Sequence, residues 1–251
     1  MKIGVNCGHT KNGPGSGAVG KLNESKETRV VGSYLMPLLR AQGHTVIDCT
    51  VDKASTQTAY LDEAVDIANR NKCDMFISLH FNSADSKNAN GTEVFTYGGK
   101  QLDRAVKAVK AVSKLGFALR NEGRCKDGSN LRVIRKTSMQ AFLLEICFID
   151  GKDADQYKII GGKNVAQKIA SAFGEVKKTP VKKAPAKYYK KCGKKETSIV
   201  EGLKAIGVDN SYPFRKKIAK ANGIKNYAGT AAQNIKMLSL LKEGNLKKFE
   251  R

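Results

Sequence analysis

Short apolar runs alternate with helix-period stretches over residues 2–175. KIGVN (2–6) predicts a strand. Over 25–41, Val30, Val31, Tyr34, Leu35, Leu38 and Leu39 share one side of a predicted helix. Pro37 lies within that run and is expected to kink or divide it. HTVIDC (44–49) predicts a strand after the Gly43 stop. A helix is predicted over 58–71, and strands at DMFISLHF (74–81) and EVFTY (93–97). A helix over 101–118, strands at LRVI (131–134) and AFLLEICF (141–148), and a helix over 163–174 complete the series. Strand–helix alternation predicts the α/β class with a mostly parallel sheet.

The pattern changes after residue 176. KKTPVKKAPAKYYKKCGKK (177–195) is rich in Lys, Pro and Ala, has no helical period, and reads as an extended linker. Residues 196–251 hold three short helical patterns. Ser198 caps the first and Gly207 ends it; Pro213 suits the start of the second and Gly223 ends it; Thr230 caps the third. The expected organisation is a larger α/β domain over 1–176, a linker over 177–195 and a small all-α module over 196–251.

Charge sharpens this division. The chain of 251 residues carries a net charge of +22. Residues 177–195 hold nine Lys and no acid, and 196–251 hold 11 Lys/Arg against 5 Asp/Glu. Over half of the excess therefore lies in the last third, and a polyanionic partner is expected there. Nucleic acid and anionic cell-wall polymer both fit the charge. No apolar run approaches the ~20 residues needed to span a bilayer. The first residues, MKIGVNCGHT, show no apolar signal-peptide core, so export by another route is expected if the protein works outside a cell. Six cysteines are scattered without a CxxC pair, which points to small buried hydrophobes in a reduced protein.

Three histidines are present. His9 follows the first predicted strand, and His80 lies near the end of the strand 74–81. Functional groups of parallel α/β sheets collect at carboxyl strand ends, so these two could share a metal ion. His44 starts a strand at the opposite edge and reads as a surface turn residue. Catalytic zinc commonly takes three protein ligands, His₂Glu among them, and keeps one position for water. Glu24 and Glu27 compete as third ligand, and spacing leaves them even. Glu145 interrupts the apolar AFLLEICFI. A carboxylate there is costly unless paired or coordinated. It could act as general base beside a metal, or form a Glu–Lys/Arg pair, or face solvent on an edge strand. Cys7 offers a rival thiol nucleophile, though no acid is placed to orient its neighbour His9. The GPGSG loop lacks the Lys-Ser/Thr of a phosphate-binding P-loop.

The segments NCGHT…GSGAVGKLNES, DMFISLHFNS, GTEVFTY and AFLLEICFID, in this order over about 1–175, resemble the signatures of zinc-dependent N-acetylmuramoyl-L-alanine amidases, the type 3 group. The module around SIVEGLKAIGVDNSYPFRKKIAKANGI and NYAGTAAQN resembles wall-binding domains of some phage and bacillus-type amidases, and the layout is similar to a bacteriophage endolysin. The resemblance implies a twisted sheet flanked by helices, with Zn2+ held by His9, Glu24 and His80 and with Glu145 as catalytic glutamate. It thereby favours Glu24 over Glu27. The family's Arg before Ala68-Asn69 has no counterpart here, since Tyr60 and Leu61 occupy that region and Arg70 follows it, so no arginine receives a role. The implied substrate is the amide between N-acetylmuramic acid and L-alanine in peptidoglycan. The implied partner of 196–251 is anionic wall polymer rather than nucleic acid or membrane. The implied location is the host bacterial cytoplasm until release, then the wall. A bacterial autolysin of the same activity, or a basic nucleic-acid-binding protein, are the alternatives.

Overall fold

Lys2–Cys7 (β1) is a strand whose successive side chains enter two different layers, with Ile3, Val5 and Cys7 on one face and Gly4 and Asn6 on the other. It belongs to a six-stranded sheet in the computed structural model, which describes residues 1–175 and 187–249. The other strands are Thr45–Asp48 (β2), Met75–Asn82 (β3), Glu93–Thr96 (β4), Lys126–Asp127 (β5) and Gln140–Phe148 (β6). Their spatial order is β2-β1-β3-β6-β4-β5. All neighbouring pairs are parallel except β4 against β6. The mostly parallel α/β sheet expected from the alternation is therefore present.

Helices cover both faces, as a parallel sheet requires. The first-unit helices are Glu24–Ala41 (α1), Gln57–Arg70 (α2), Asp103–Ser113 (α3), Arg132–Arg135 (α4), Gly151–Ile160 (α5) and Gly162–Ala170 (α6). Val31, Leu35 and Leu39 of α1, Val109 and Val112 of α3, and Val165 and Ile169 of α6 pack on Ile77 and Leu79 of β3 and on Phe142, Leu144 and Ile146 of β6. On the opposite face, Val65 and Ala68 of α2 and Val133 and Ile134 of α4 pack on Phe76, Ala141 and Leu143.

One expectation is corrected, and a second is narrowed. LRVI is not a strand but enters the single helical turn α4, with the Leu131 carbonyl accepting from Ile134 N and Arg135 N. Arg132 anchors this turn with two bonds to Asp62 of α2, at 2.5 and 2.7 Å. A short apolar run fits a buried helical turn as well as a strand. Pro37 does not divide α1, which runs unbroken for 18 residues. It lies on the exposed side, so the carbonyl it leaves without an intrahelical partner faces water. Helix α5 and strand β5 escaped the sequence pattern because neither has a sustained period.

A second unit is built from Ile199–Ala205 (α7), Tyr212–Ala221 (α8) and Ala231–Glu243 (α9). Ile199, Leu203, Ile218, Met237, Leu241 and Leu246 form its core. Ser198 and Thr230 accept hydrogen bonds from the Glu201 and Gln233 amides as N-caps. Of the 177–195 stretch, residues up to 186 lie outside the described residues. From Lys187 on it belongs to this unit: Tyr188 bridges to Lys247, and Tyr189 and Cys192 are buried in the core.

Candidate metal centre

Strand alternation explains the centre. On β3, Met75, Ile77, Leu79 and Phe81 enter the core under α1, so Phe76, Ser78, His80 and Asn82 share the opposite face. Asn6 of β1, Glu145 of β6 and Glu93 of β4 fall on that same face by the same alternation. Helices α2 and α4 cover its apolar part. The polar residues lie toward the carboxyl ends of β1, β3 and β6. A register irregularity between His80 and Asn82 marks this edge, a common feature beside functional sites.

The loop after β1 brings His9 to the same edge. His9 adopts a left-handed backbone (φ 71), a conformation that a bulky residue keeps only where its surroundings enforce it. Here α1 does so. Thr28 donates to the Gly8 carbonyl at 3.0 Å, Arg29 to the His9 carbonyl at 2.9 Å, and Ser25 to the Thr10 carbonyl at 2.6 Å. Arg29 is itself held by Asp52, and the His9 amide donates to the Tyr60 hydroxyl at 2.6 Å. These bonds fasten the start of α1 to the loop, and Glu24 is its first residue.

The carboxylate of Glu24 is where the two imidazoles meet. Its Oε1 lies 3.0 Å from His9 Nε2 and 3.1 Å from His80 Nδ1, and the three ligand atoms all lie within 4.8 Å of one another. Glu24 Oε1 also accepts from the Phe81 amide, and Oε2 from the Ala18 amide, each at 3.1 Å. Glu27, equal to it on spacing, instead accepts from the Tyr157 hydroxyl at 3.0 Å. His44 is half-buried beside Phe173 and outside the cluster. Arg70 pairs with Glu63 on the surface.

The donor set fits a metal ion. His9 Nδ1 lies 2.9 Å from the Gly15 carbonyl, which can only accept, so this nitrogen carries the proton and Nε2 faces the centre as a lone pair. His80 Nε2 lies 3.1 Å from Ser78 Oγ, whose hydroxyl donates to Asn6 Oδ1 at 2.9 Å; Asn6 in turn donates to the Cys49 carbonyl at 3.1 Å. Ser78 therefore accepts from His80 Nε2–H, and Nδ1 is left for the centre. Gly8 permits the approach, because a Cβ there would stand 2.5 Å from the His80 ring.

Burial and charge act in opposite directions on these groups. Burial tends to raise Glu24, but hydrogen bonds from His80 and His9 win and hold its carboxyl well below the usual range. Burial pulls His9 down, yet the Glu24 bond and charge outweigh it and raise the imidazole. For the more deeply enclosed His80, burial wins and the imidazole is lowered.

Glu145 pairs in register with His80 on one side and Glu93 on the other. Its Oε2 is shielded from solvent and makes no hydrogen bond among the described residues. Burial, then the charges of Glu24 and Glu93, push its carboxyl well above the usual range. The cation pair that the sequence allowed for Glu145 belongs to Glu93, which accepts from Asn82 at 2.6 Å, Arg120 at 2.9 Å and Lys126 at 3.0 Å. Glu93, Arg120 and Tyr60 escaped the sequence reading, since only strand pairing and helix packing bring them here. Ser78 had a signal, two residues before His80 and on its face.

The family described as N-acetylmuramoyl-L-alanine amidase matches residues 3–176. An uncharacterized protein of Clostridium perfringens is 36% identical over 181 residues, covering 70% of this chain and 52% of that protein. The chain thus spans about half the length of the first curated relatives it matches. An endolysin of a Listeria phage is 34% identical over 91 residues, 36% of this chain and 24% of that protein. Among solved structures, the catalytic domain of an endolysin targeting Clostridia Difficile superposes with a TM-score of 0.58 at 25% identity, covering 68% of this chain and 96% of that one. The catalytic domain of CwlV, N-acetylmuramoyl-L-alanine amidase from Bacillus (Paenibacillus) polymyxa, gives a TM-score of 0.55 at 26% identity, with 68% and 95% covered.

Proposed function

Because the chain belongs to the N-acetylmuramoyl-L-alanine amidase family, we propose that it is a zinc-dependent hydrolase of peptidoglycan. The bond cut is the amide between the lactyl group of N-acetylmuramic acid and L-alanine. The observation that carries this reading is the convergence of His9 Nε2, His80 Nδ1 and Glu24 Oε1, with the carboxyl of Glu145 on the same sheet face.

His9, Glu24 and His80 would hold the ion, each oriented by a second partner: Gly15, the Phe81 amide and Ser78. When bound, zinc supplies Lewis acidity toward the scissile carbonyl and lowers the pKa of a water ligand. Glu145 then does the proton work. Its raised carboxyl accepts the proton of the attacking water and returns it to the leaving amine of L-alanine. No side chain becomes acylated, so the acid and the amine leave in one hydrolytic cycle.

The similarity to a Listeria phage endolysin supports a lytic role, with synthesis in the host bacterial cytoplasm, release when the membrane is opened, and action at the wall. The strongly basic second unit supports attachment to an anionic wall polymer. Similarity to a probable cell wall amidase of Staphylococcus epidermidis supports a bacterial autolysin of the same activity as the second reading. Among the described residues, no helix is long and apolar enough to cross a membrane.

The test is metal analysis of the purified protein alongside turbidity loss of cell walls. One zinc per chain is expected, with lysis lost to a chelator and restored by zinc. New free L-alanine amino groups should appear without new reducing sugar ends. Metal-free protein that lyses walls at full rate defeats the reading.

A further inference from the structure

The carboxylate next to Glu145 has one cation more than its own burial requires. Glu93 is buried, and a single positive partner together with Asn82 would compensate it. It has two: Lys126 and Arg120 both donate to its Oε2, at 3.0 and 2.9 Å. Both cations are half-buried rather than sealed.

Arg120 is fixed on three sides and open on the fourth. Its Nε donates to Glu93, its Nη1 donates to the Asn90 carbonyl at 3.2 Å, and its Cζ lies 5.3 Å from the Phe148 ring centre. Among the described residues, Nη2 makes no hydrogen bond. The surroundings are shaped around this side chain. A Cβ at Gly91 would stand 2.9 Å from Arg120 Cγ. Asn121, Glu122 and Gly123, which follow, all hold positive φ (46, 54 and 73), and strain of this kind concentrates at ligand clamps. Phe148 arrives through a bulge. Between the His80–Glu145 and Asn82–Phe148 pairs, β6 holds one residue more than β3, so Ile146 and Cys147 both enter the core and Phe148 comes out beside Asn82. Asp153 Oδ2 accepts from the Phe148 amide at 3.1 Å and from the Gly91 amide at 2.6 Å, which ties the ring to the segment that cradles Arg120.

Position along the sheet gives the open nitrogen a role. His80, Glu145 and Glu93 lie on the adjacent strands β3, β6 and β4, and the Thr92–Leu119 bridge sets Arg120 beyond β4. In the amidase reading Glu145 returns a proton to the leaving amine, so that amine sits on the β6 side of His9, Glu24 and His80. The leaving peptide then runs from β6 toward β4. Strands are ~4.8 Å apart, so the Arg120 backbone is about 10 Å from that of Glu145, and its side chain reaches back to Glu93. Each extended residue spans about 3.5 Å, which brings the second residue of the leaving peptide to the guanidinium. In peptidoglycan that residue is a D-glutamate joined through its side-chain carboxyl. Its α-carboxyl is left as a free carboxylate in some walls and is amidated in others.

We propose that Arg120 is a specificity-determining residue that receives this α-carboxylate through Nη2, an inference that rests on the amidase reading above. Lys126 balances Glu93, so the substrate carboxylate meets a net positive charge. A guanidinium suits the task, because its planar fork can hold Glu93 on one edge and a second carboxylate on another.

The experiment compares two soluble disaccharide muropeptides that differ only in whether the second residue carries the α-carboxylate or its amide. The zinc-loaded full chain is expected to cut the acid with a kcat/KM roughly tenfold or more above that for the amide, expressed mainly in KM. Arg120→Gln should lose the preference while cutting the amide within about threefold of the parent. Arg120→Lys should keep part of it, because the charge remains and the fork does not. Thermal melts and zinc content confirm that both variants are folded and loaded. A parent indifferent to amidation overturns the proposal. So does an Arg120→Gln loss that is equal on both compounds, the result expected of a purely structural partner of Glu93. Calorimetric titration with the dipeptide product, L-alanyl-γ-D-glutamate, and with its α-amide repeats the comparison without turnover. The parent should bind the acid more tightly and Arg120→Gln should bind both alike; equal binding by the parent overturns the proposal. If the parent prefers the acidic dipeptide yet cuts neither muropeptide, the amidase reading fails while carboxylate recognition by Arg120 holds.

Discussion

His80 and Glu145 stand directly opposite one another across the parallel β3–β6 pair. That register sets a candidate ligand beside a carboxyl that burial, and then the charges of Glu24 and Glu93, push well above its usual range. A raised folded-state value means that the fold favours the protonated acid. The associated stability is fully present below the unfolded pKa and is lost as pH rises through the folded one. Metal-free Glu145→Gln should therefore melt at a higher temperature than the parent at pH 7–8 and match it near pH 4. Wall hydrolysis should fall by about 10²–10⁴ with zinc content unchanged. Paired melts in chelator at the two pH values check the sign, and a variant less stable than the parent at pH 8 contradicts it.

The chain His80 Nε2, Ser78 Oγ, Asn6 Oδ1 fixes which imidazole nitrogen faces the centre. Ser78→Ala removes one hydroxyl from the interior and leaves the ligands in place. Zinc affinity is expected to fall about 10–100-fold, the usual effect of losing a partner of a ligating histidine. Titration against a competing chelator measures this without reference to activity. Saturating zinc should restore most of the hydrolysis. Unchanged affinity would mean that the ring is held by packing alone.

His9, His80 and Glu145 were legible in the sequence because each breaks a local rule. Two histidines sit at strand ends, and a glutamate sits within an apolar strand. Spacing placed Glu24 only to within one turn of Glu27, because it does not say which side of the first helical turn meets the loop, and the family resemblance alone favoured Glu24. The structure decides it through the bonds of Ser25, Thr28 and Arg29 to the loop carbonyls. Glu93 was hidden for a different reason. It meets Glu145 across the antiparallel β4–β6 pair, and that register depends on how the chain returns between them. LRVI misled because four apolar-rich residues carry too little period to separate a strand from a turn of helix, and Arg132 with Asp62 decides for the helix.

Glycines at the centre separate two physical effects. A Cβ at Gly8 would stand 2.6 Å from the Leu79 carbonyl and 2.5 Å from the His80 ring. At Gly17 a left-handed backbone (φ +79) combines with a Cβ 2.7 Å from the His9 ring. Gly13 has a similar φ of +80 but open space around it. Gly13→Ala should cost about 1 kcal/mol and leave zinc affinity intact. Gly8→Ala and Gly17→Ala should each cost about 3 kcal/mol and weaken zinc binding, since the displaced group is an imidazole. Denaturant melts with chelator titrations distinguish the classes; equal effects at all three positions would contradict the steric account.

Cys7 tests the rival chemistry. Its side chain lies on the strand face that packs under α1, against Gly32, while Asn6, Ser78, His80 and Glu145 share the other face. Burial raises the thiol to about 11, with the Thr50 hydrogen bond opposing that shift only in part. A thiol so placed is neither ionised near neutral pH nor aimed at a substrate, and thiolate is the nucleophilic form. Cys7→Ala should keep hydrolysis within about twofold of the parent and cost about 1 kcal/mol of stability through lost packing. Iodoacetamide should leave the native enzyme active, because all six cysteines are buried. Inactivation by the alkylating agent, traced to Cys7, would return the reaction to covalent catalysis and remove the proton-transfer role from Glu145.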